Sequence, residues 1–217
     1  MEKIPFVHKI RWRIYKLYET NFMYRWPEFR GWVSLRFYRF LYPNFHVGKA
    51  SKIWGKFFVS MLEPLEASIV IGDHLRLVSE QRRAGITQYA RSKLTAFPGA
   101  SIVIGDHVAM TGVTITSKRG IEIGDHTIVA PNVIIIDSDF HVAWPPEKRM
   151  TEGTADYDKE ICIGRHVWIG VNAIILKGVT IGDNSIIGAG SVVVRDIPAN
   201  VVAAGNPARV VKELGQE

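Results

Sequence analysis

IGRHVWIGVNAIILKGVTIGDNSIIGAGSVVVRDIP runs from Ile163 to Pro198 and divides into six hexads. Each begins with an aliphatic residue: Ile163, Ile169, Ile175, Ile181, Ile187 and Val193. Four of the six carry Gly second. The same hexad occurs earlier as IGDHLR from Ile71, IGDHVA from Ile104 and IGDHTI from Ile123. Six residues is too short for a helical repeat, and β-branched residues favour strand. A short strand and a turn, three times over, close one coil of about 18 residues. The aliphatic residue then points inward and stacks on its counterpart one coil away. Glycine beside it relieves crowding at the bend, and Asp or Asn in the turn tolerates unusual dihedrals and can bond its own backbone. One coil cannot bury its apolar face alone, so stacking makes the core. A β-sandwich would space its strands irregularly, at about 8 to 12 residues. Hexads in phase point instead to a parallel β-helix.

Outward from this stretch the register loosens. Ile104 to Ile123 is 19 residues, and the SKRG turn, Ser117–Gly120, absorbs the extra one. Ile71 to Ile104 is 33, which places a distorted coil or an excursion within residues 75–100. Ile123 to Ile163 is 40. One coil leaves about 22 of these for an excursion near 137–160. It opens in IIIDSDFHVAWPPEKR, Ile134–Arg149, where two aspartates and a histidine interrupt the repeat. A long loop on a rigid scaffold is commonly functional.

The stretch VWIGVNAIILKGVTIGDNSIIGAGSVVVRDIPANVVAAGNPARVVKEL, Val167–Leu214, resembles the hexapeptide-repeat acyltransferases. VWIG, GAGSVV and AGNPAR occur in that order and spacing. Within the family the chain looks most like the maltose, galactoside and polysaccharide O-acetyltransferase branch, over roughly residues 100–214. The resemblance implies a mainly β fold, a left-handed parallel β-helix, and a homotrimer. It implies acetyl-CoA as acyl donor and a sugar or glycan hydroxyl as acceptor, in cell-surface polysaccharide biosynthesis.

Acetyl transfer to an alcohol needs a base for the hydroxyl proton, and histidine suits that task near neutrality. The family places a catalytic histidine just past an IGD…APNV coil. Here IGDHTIVAPNV fills Ile123–Val133, and His141 is the next histidine. His74, His107, His126 and His166 all occupy the fourth hexad position, as turn residues would. Asp139, two residues before His141, would share its face in an extended segment. It is the candidate to orient the imidazole, or to bind acceptor hydroxyls. Asp137 either contacts the acceptor or ends the preceding strand. Residues matching the family's coenzyme site are Val171, Ala189, Val194, Arg195, Arg209 and Lys212. Galactoside-type members use an asparagine that aligns near Met110, and Thr111 beside it is the candidate polar contact with the acceptor. Trp168 either packs on the coil or walls the acetyl site.

Residues 1–60 hold 12 Lys/Arg against 3 Asp/Glu and 17 of the 23 aromatic residues, whereas the whole chain carries a net +6. The chain therefore divides into a basic aromatic head, 1–60, partly helical, and a β-helix over 61–214. His8–Phe22 places Ile10, Ile14, Leu17 and Phe22 near helical spacing with basic residues between them. Such a head either binds a membrane surface or caps the open end of the β-helix. No nucleic-acid motif accompanies the charge. No stretch reaches the roughly 18 to 20 apolar residues of a membrane span, and the N-terminus lacks a signal-peptide pattern. The expected location is the cytoplasm, at the inner membrane face if the head binds lipid. The single cysteine, Cys162, excludes an intrachain disulfide and reads as a buried thiol. No metal site is expected. A gamma-type carbonic anhydrase would need His107, His126 and His141 to converge on zinc. Two further rival readings are a non-catalytic β-helix and an antibiotic acetyltransferase of the same fold.

Overall fold

The computed structural model describes residues 25–215, together with Ile10, Arg11, Arg13, Ile14 and Lys16. Among these, six coils stack into a left-handed parallel β-helix with three flat faces. The first face takes Phe45–Val47, Ser68–Ile71, Ser101–Ile104, Gly120–Ile123, Ile161–Ile163 and Thr180–Ile181. The second takes Lys52–Trp54, Arg76–Val78, Ala109–Thr111, Ile128–Val129, Trp168–Ile169 and Ile186–Ile187. The third takes Phe58–Met61, Lys93–Ala96, Thr114–Ser117, Ile134–Ile136, Ile174–Ile175 and Val192–Val193. The stack closes with Val201–Gly205 on the second face and the antiparallel strand Ala208–Glu213 beside it. The first coil starts at Phe45, inside the segment that composition sets apart as the head.

The hexad's leading residues form the core. Ile71, Ile104, Ile123, Ile163 and Ile181 pair in register down the first face, all buried. The 19-residue spacing does not disturb this register, because the extra residue is taken up at the Lys118–Arg119 corner. Strand alternation turns Cys162 outward between Ile161 and Ile163, so the expectation of a buried thiol is corrected. Partial burial, with Glu122 and Glu160 nearby, pushes its pKa up.

The corner between the first and second faces repeats almost identically. At its glycine a side chain has no room: a Cβ on Gly124 would lie 2.7 Å from the Gly164 carbonyl carbon. The left-handed conformation falls two residues later, on His74, His107, His126 and His166, with φ between 55° and 59°. Their rings stack in a column, with centroids 4.5, 4.8 and 4.7 Å apart. The turn aspartates bond the preceding coil, where the sequence suggested their own backbone. Oδ1 of Asp73, Asp106, Asp125 and Asp183 accepts the amide N–H of Lys49, Asp73, Asp106 and Arg165 at 2.6–2.8 Å. The Arg165 backbone N–H, and then its guanidinium, hold the Asp183 carboxyl below the usual carboxylate range.

The helix Trp26–Leu41 lies on the first coil and covers that end of the core. Pro27 opens it, Glu28 and Arg39 suit the helix dipole at its ends, and Tyr42 before Pro43 leaves it in extended conformation. Leu35, Tyr38 and Tyr42 pack on the core. Gly31 meets Ile53 so closely that a Cβ there would clash with its backbone. The Pro27 carbonyl accepts from Gly55 N–H at 2.7 Å, the Tyr38 hydroxyl donates to the Phe57 carbonyl at 3.3 Å, and the Arg39 guanidinium donates to the Val47 carbonyl. This segment of the head is therefore a cap. Of the helix expected over His8–Phe22, Ile10, Arg11, Arg13, Ile14 and Lys16 are helical and exposed, and Leu17 and Phe22 lie outside the described residues. No helix among the described residues is long and apolar enough to cross a membrane.

Candidate active site

Two excursions leave the stack. The first spans 79–92, between the second and third faces of coil two, and carries the short 3-10 turn Gln81–Arg83. The second spans 137–160, between the third face of coil four and the first face of coil five, with the 3-10 turn Pro146–Lys148.

Asp137 roots the second excursion. It is fully buried, and its two oxygens accept four hydrogen bonds. These come from Ser117 Oγ and Lys118 N at 2.7 Å, and from Arg119 N and Gly120 N at 2.9 Å. The turn that absorbs the extra residue thus leaves three amides converging on one carboxylate from the next coil. The expected contact between Asp137 and an acceptor is corrected, since its acceptor positions are taken and closed to solvent. Next to it, Ser138, Thr154 and Asp158 are buried and linked. Thr154 Oγ1 lies 3.2 Å from Ser138 Oγ, donates to Asp158 Oδ2 at 3.1 Å and accepts from Lys118 Nζ at 2.6 Å. Phe140 packs edge-on to Phe97, centroids 5.7 Å apart. The return strand is tied back by Lys159 N–H donating to the Asp137 carbonyl at 3.1 Å. Both ends of the loop are therefore rigid.

His141 stands just past this root, exposed. Its Nδ1 lies 2.9 Å from the Arg149 carbonyl oxygen. A carbonyl can only accept, so Nδ1 carries a proton and donates it, which leaves Nε2 as the ring nitrogen that can act as a base. The orienting group is thus a backbone carbonyl. The carboxylate expected for this role, Asp139, instead pairs with Lys177 Nζ at 2.6 Å, and no hydrogen bond joins it to His141 among the described residues. Trp144 (76% exposed) and Met150 (85%) give the loop a bare apolar rim. A cavity of about 510 Å³ opens under the loop's return, lined by Arg119, Ala155, Asp156, Asp158, Lys159 and Glu160. His141 is not among its lining residues.

Most of the expected coenzyme residues fall into two corner columns. Val194 and Arg195 follow the third face of coil six, in the same corner column as Lys177 and the His141 loop. Val171 and Ala189 lie in the corner after the second face, where Gly190 N–H donates to the Val171 carbonyl at 2.8 Å. Arg209 joins that corner through its pairing with Ala204. Lys212 sits farther along the last strand, opposite Val202. Thr111 ends the second face of coil three and is half-buried, while Met110 beside it is a core residue. Trp168 projects from the middle of the second face, flanked by Ile128 and Ile186, and is 52% exposed. His107 and His126 stack in a different corner from the root of the His141 loop, so one chain does not bring the three together as zinc ligands.

Residues 163–195 match the family described as "Bacterial transferase hexapeptide (six repeats)". The putative lipopolysaccharide biosynthesis O-acetyl transferase WbbJ of Escherichia coli (strain K12) is 34% identical over 137 residues, covering 58% of this chain and 67% of that protein. The chain belongs to the hexapeptide-repeat transferases. Galactoside O-acetyltransferase of the same strain is 44% identical over 117 residues, covering 54% of this chain and 56% of that protein. The chain spans little more than half the length of several curated relatives that it matches. The crystal structure of AntD, an N-acyltransferase from Bacillus cereus, in complex with dTDP and 3-hydroxybutyryl-CoA, has a TM-score of 0.58 at 22% identity, covering 80% of this chain and 86% of that one. At that identity the likeness is one of fold.

Sequence reasoning about this hexapeptide-repeat chain missed three residues. Lys177 takes the third position of the ILKGVT hexad, where the other quoted hexads carry aspartate, arginine, valine or alanine, and the one lysine there is a readable signal. Lys118 donates to Thr154 beneath the loop. Asn132 pins the first excursion: its Oδ1 accepts from Tyr89 N–H and its Nδ2 donates to the Thr87 carbonyl, both at 2.9 Å. Lys118 stands in the turn that breaks the 18-residue spacing, whereas Asn132 does not depart from its local pattern.

Proposed function

We propose that the protein is an acetyl-CoA-dependent O-acetyltransferase acting on a sugar hydroxyl, in the assembly of a surface glycan, with His141 as general base. The observation that carries this is the Nδ1–carbonyl bond, which leaves Nε2 for the base role on an exposed imidazole of a rigidly rooted loop. Nε2 takes the acceptor's hydroxyl proton as its oxygen attacks the thioester carbonyl. The C–S bond breaks, and the imidazolium returns the proton to the departing thiolate, releasing free coenzyme A. Arg195, Arg209 and Lys212 meet the coenzyme's phosphates, while Val171, Ala189 and Val194 border its pantetheine arm. Asp139 holds Lys177 beside the acceptor.

Five of the six coenzyme residues, all but Lys212, lie in two corner columns of one chain. That division supports a homotrimer in which each site forms between neighbouring subunits, the second corner of one beside the third corner of the next. The names of the relatives, galactoside O-acetyltransferase and lipopolysaccharide O-acetyl transferase, support a sugar acceptor. The test is release of free coenzyme A from acetyl-CoA over a panel of sugars and glycan precursors, with sedimentation on the same protein. No turnover on any sugar of the panel, or a stable monomer, would overturn the corresponding part of the reading.

A further inference from the structure

The helix Trp26–Leu41 has two apolar faces. One, with Gly31, Leu35 and Tyr38, is closed against the first coil. At about 100° per residue, Trp26, Phe29, Val33, Phe37 and Phe40 fall on the opposite side in one stripe. All five are exposed, Phe40 by 90%. One buried face is enough to hold a cap. Single exposed apolar residues are ordinary on a protein surface, but a contiguous row marks an interaction site. Within this row Trp26 and Phe29 stack, centroids 5.8 Å apart, and Trp32 stacks on Phe29 at 6.0 Å and widens the patch at one edge.

Charge selects the occupant. Arg25 precedes the helix, and the Arg36 guanidinium lies 5.0 Å from the centroid of the Trp32 ring. Glu28 is the helix's one acidic residue. Arg11 and Arg13 are exposed as well, within a 60-residue segment of net charge +9. A second copy would set this cationic surface against itself. An anionic bilayer offers opposite charge and a headgroup layer in which aromatic rings are favoured. We propose that the outer face of this helix docks the protein on an anionic lipid surface, with the aromatic stripe in the interface and the arginines on lipid phosphates. The helix lies at one end of the stack, so docking leaves the His141 loop, rooted at coil four, clear of the bilayer.

Sedimentation with lipid reads this without any turnover, so its outcome is separate from that of the acetyltransferase reading. Full-length protein is spun with phosphatidylcholine vesicles, with and without phosphatidylglycerol. Binding is expected to the phosphatidylglycerol vesicles, to be weaker by about tenfold or more on phosphatidylcholine alone, and to fall with salt. The triple variant Phe29→Ser, Val33→Ser, Phe40→Ser should lose binding by about tenfold or more at an unchanged melting temperature. If that variant does not fold, Arg36→Glu carries the test, with an expected loss of several-fold, about 1 kcal/mol for each cation near the surface. Wild-type protein that ignores anionic vesicles would overturn the proposal. So would full binding by a folded variant, a variant that sediments as a smaller particle (the face then joins copies), or loss of binding on removing residues 1–24 alone.

Discussion

The corner after the first face and the corner after the third treat histidine in opposite ways. In the first, His74, His107, His126 and His166 stack ring on ring, with His107 and His126 held by a ring on either side. In the third, His141 leaves the stack and is held by one backbone carbonyl of its own loop. A repeat gives every coil the same surface, so a group it repeats acquires neighbours like itself. A group that must face a substrate has to sit where the repeat stops. The third corner can stop because the Lys118–Arg119 turn opens a cluster of amides that Asp137 closes.

The largest effect should come from that closure. Asp137→Ala leaves three amides, one of them buried, and a buried hydroxyl without their acceptor, and should cost about 3–5 kcal/mol of stability, read as a lowered thermal midpoint. A midpoint within a degree or two of wild type would mean that the loop is rooted elsewhere. Next comes His141→Ala, expected to cut turnover by about 100-fold, or about 2.7 kcal/mol in the barrier, with assembly and coenzyme binding intact. Near-normal turnover on a confirmed acceptor would end the mechanism. His126→Ala, in the column, should do the reverse: about 1 kcal/mol less stability from lost stacking at a left-handed position, and turnover within about twofold. If it slowed turnover as much as His141→Ala, the contrast between the corners would fail. Smallest is Asp139→Asn. Its exposed pair with Lys177 should contribute no more than about 1 kcal/mol, and turnover should change only a few-fold. A fall of about 100-fold would make Asp139 a direct partner of the acceptor or of His141.

The sequence by itself determined the stack. Ile or Val in every sixth place is buried throughout when coils of three hexads stack, so the coils, the inward rows and the second excursion were legible in the period, whereas residues 75–100 read only as a distorted coil or an excursion. The break at Ile134–Arg149, together with the family resemblance of the coil before it, made His141 the candidate, because it is the one histidine of the repeat region that stands outside the fourth hexad position. What the period could not carry was contact between groups far apart in the chain. Asp137 and Asp139 look alike in DSDFH, two residues apart, yet one is sealed under the loop and the other faces Lys177. The choice between them was made by amides at 118–120 and an ammonium at 177, which only the stacking of coils brings near. Cys162 likewise followed strand alternation outward, against its own hydrophobic character. The head shows the same limit. Its composition allowed a cap or a membrane contact, and only the packing of Gly31, Leu35 and Tyr38 on the first coil decided that one face of its helix caps the core while the other stays bare.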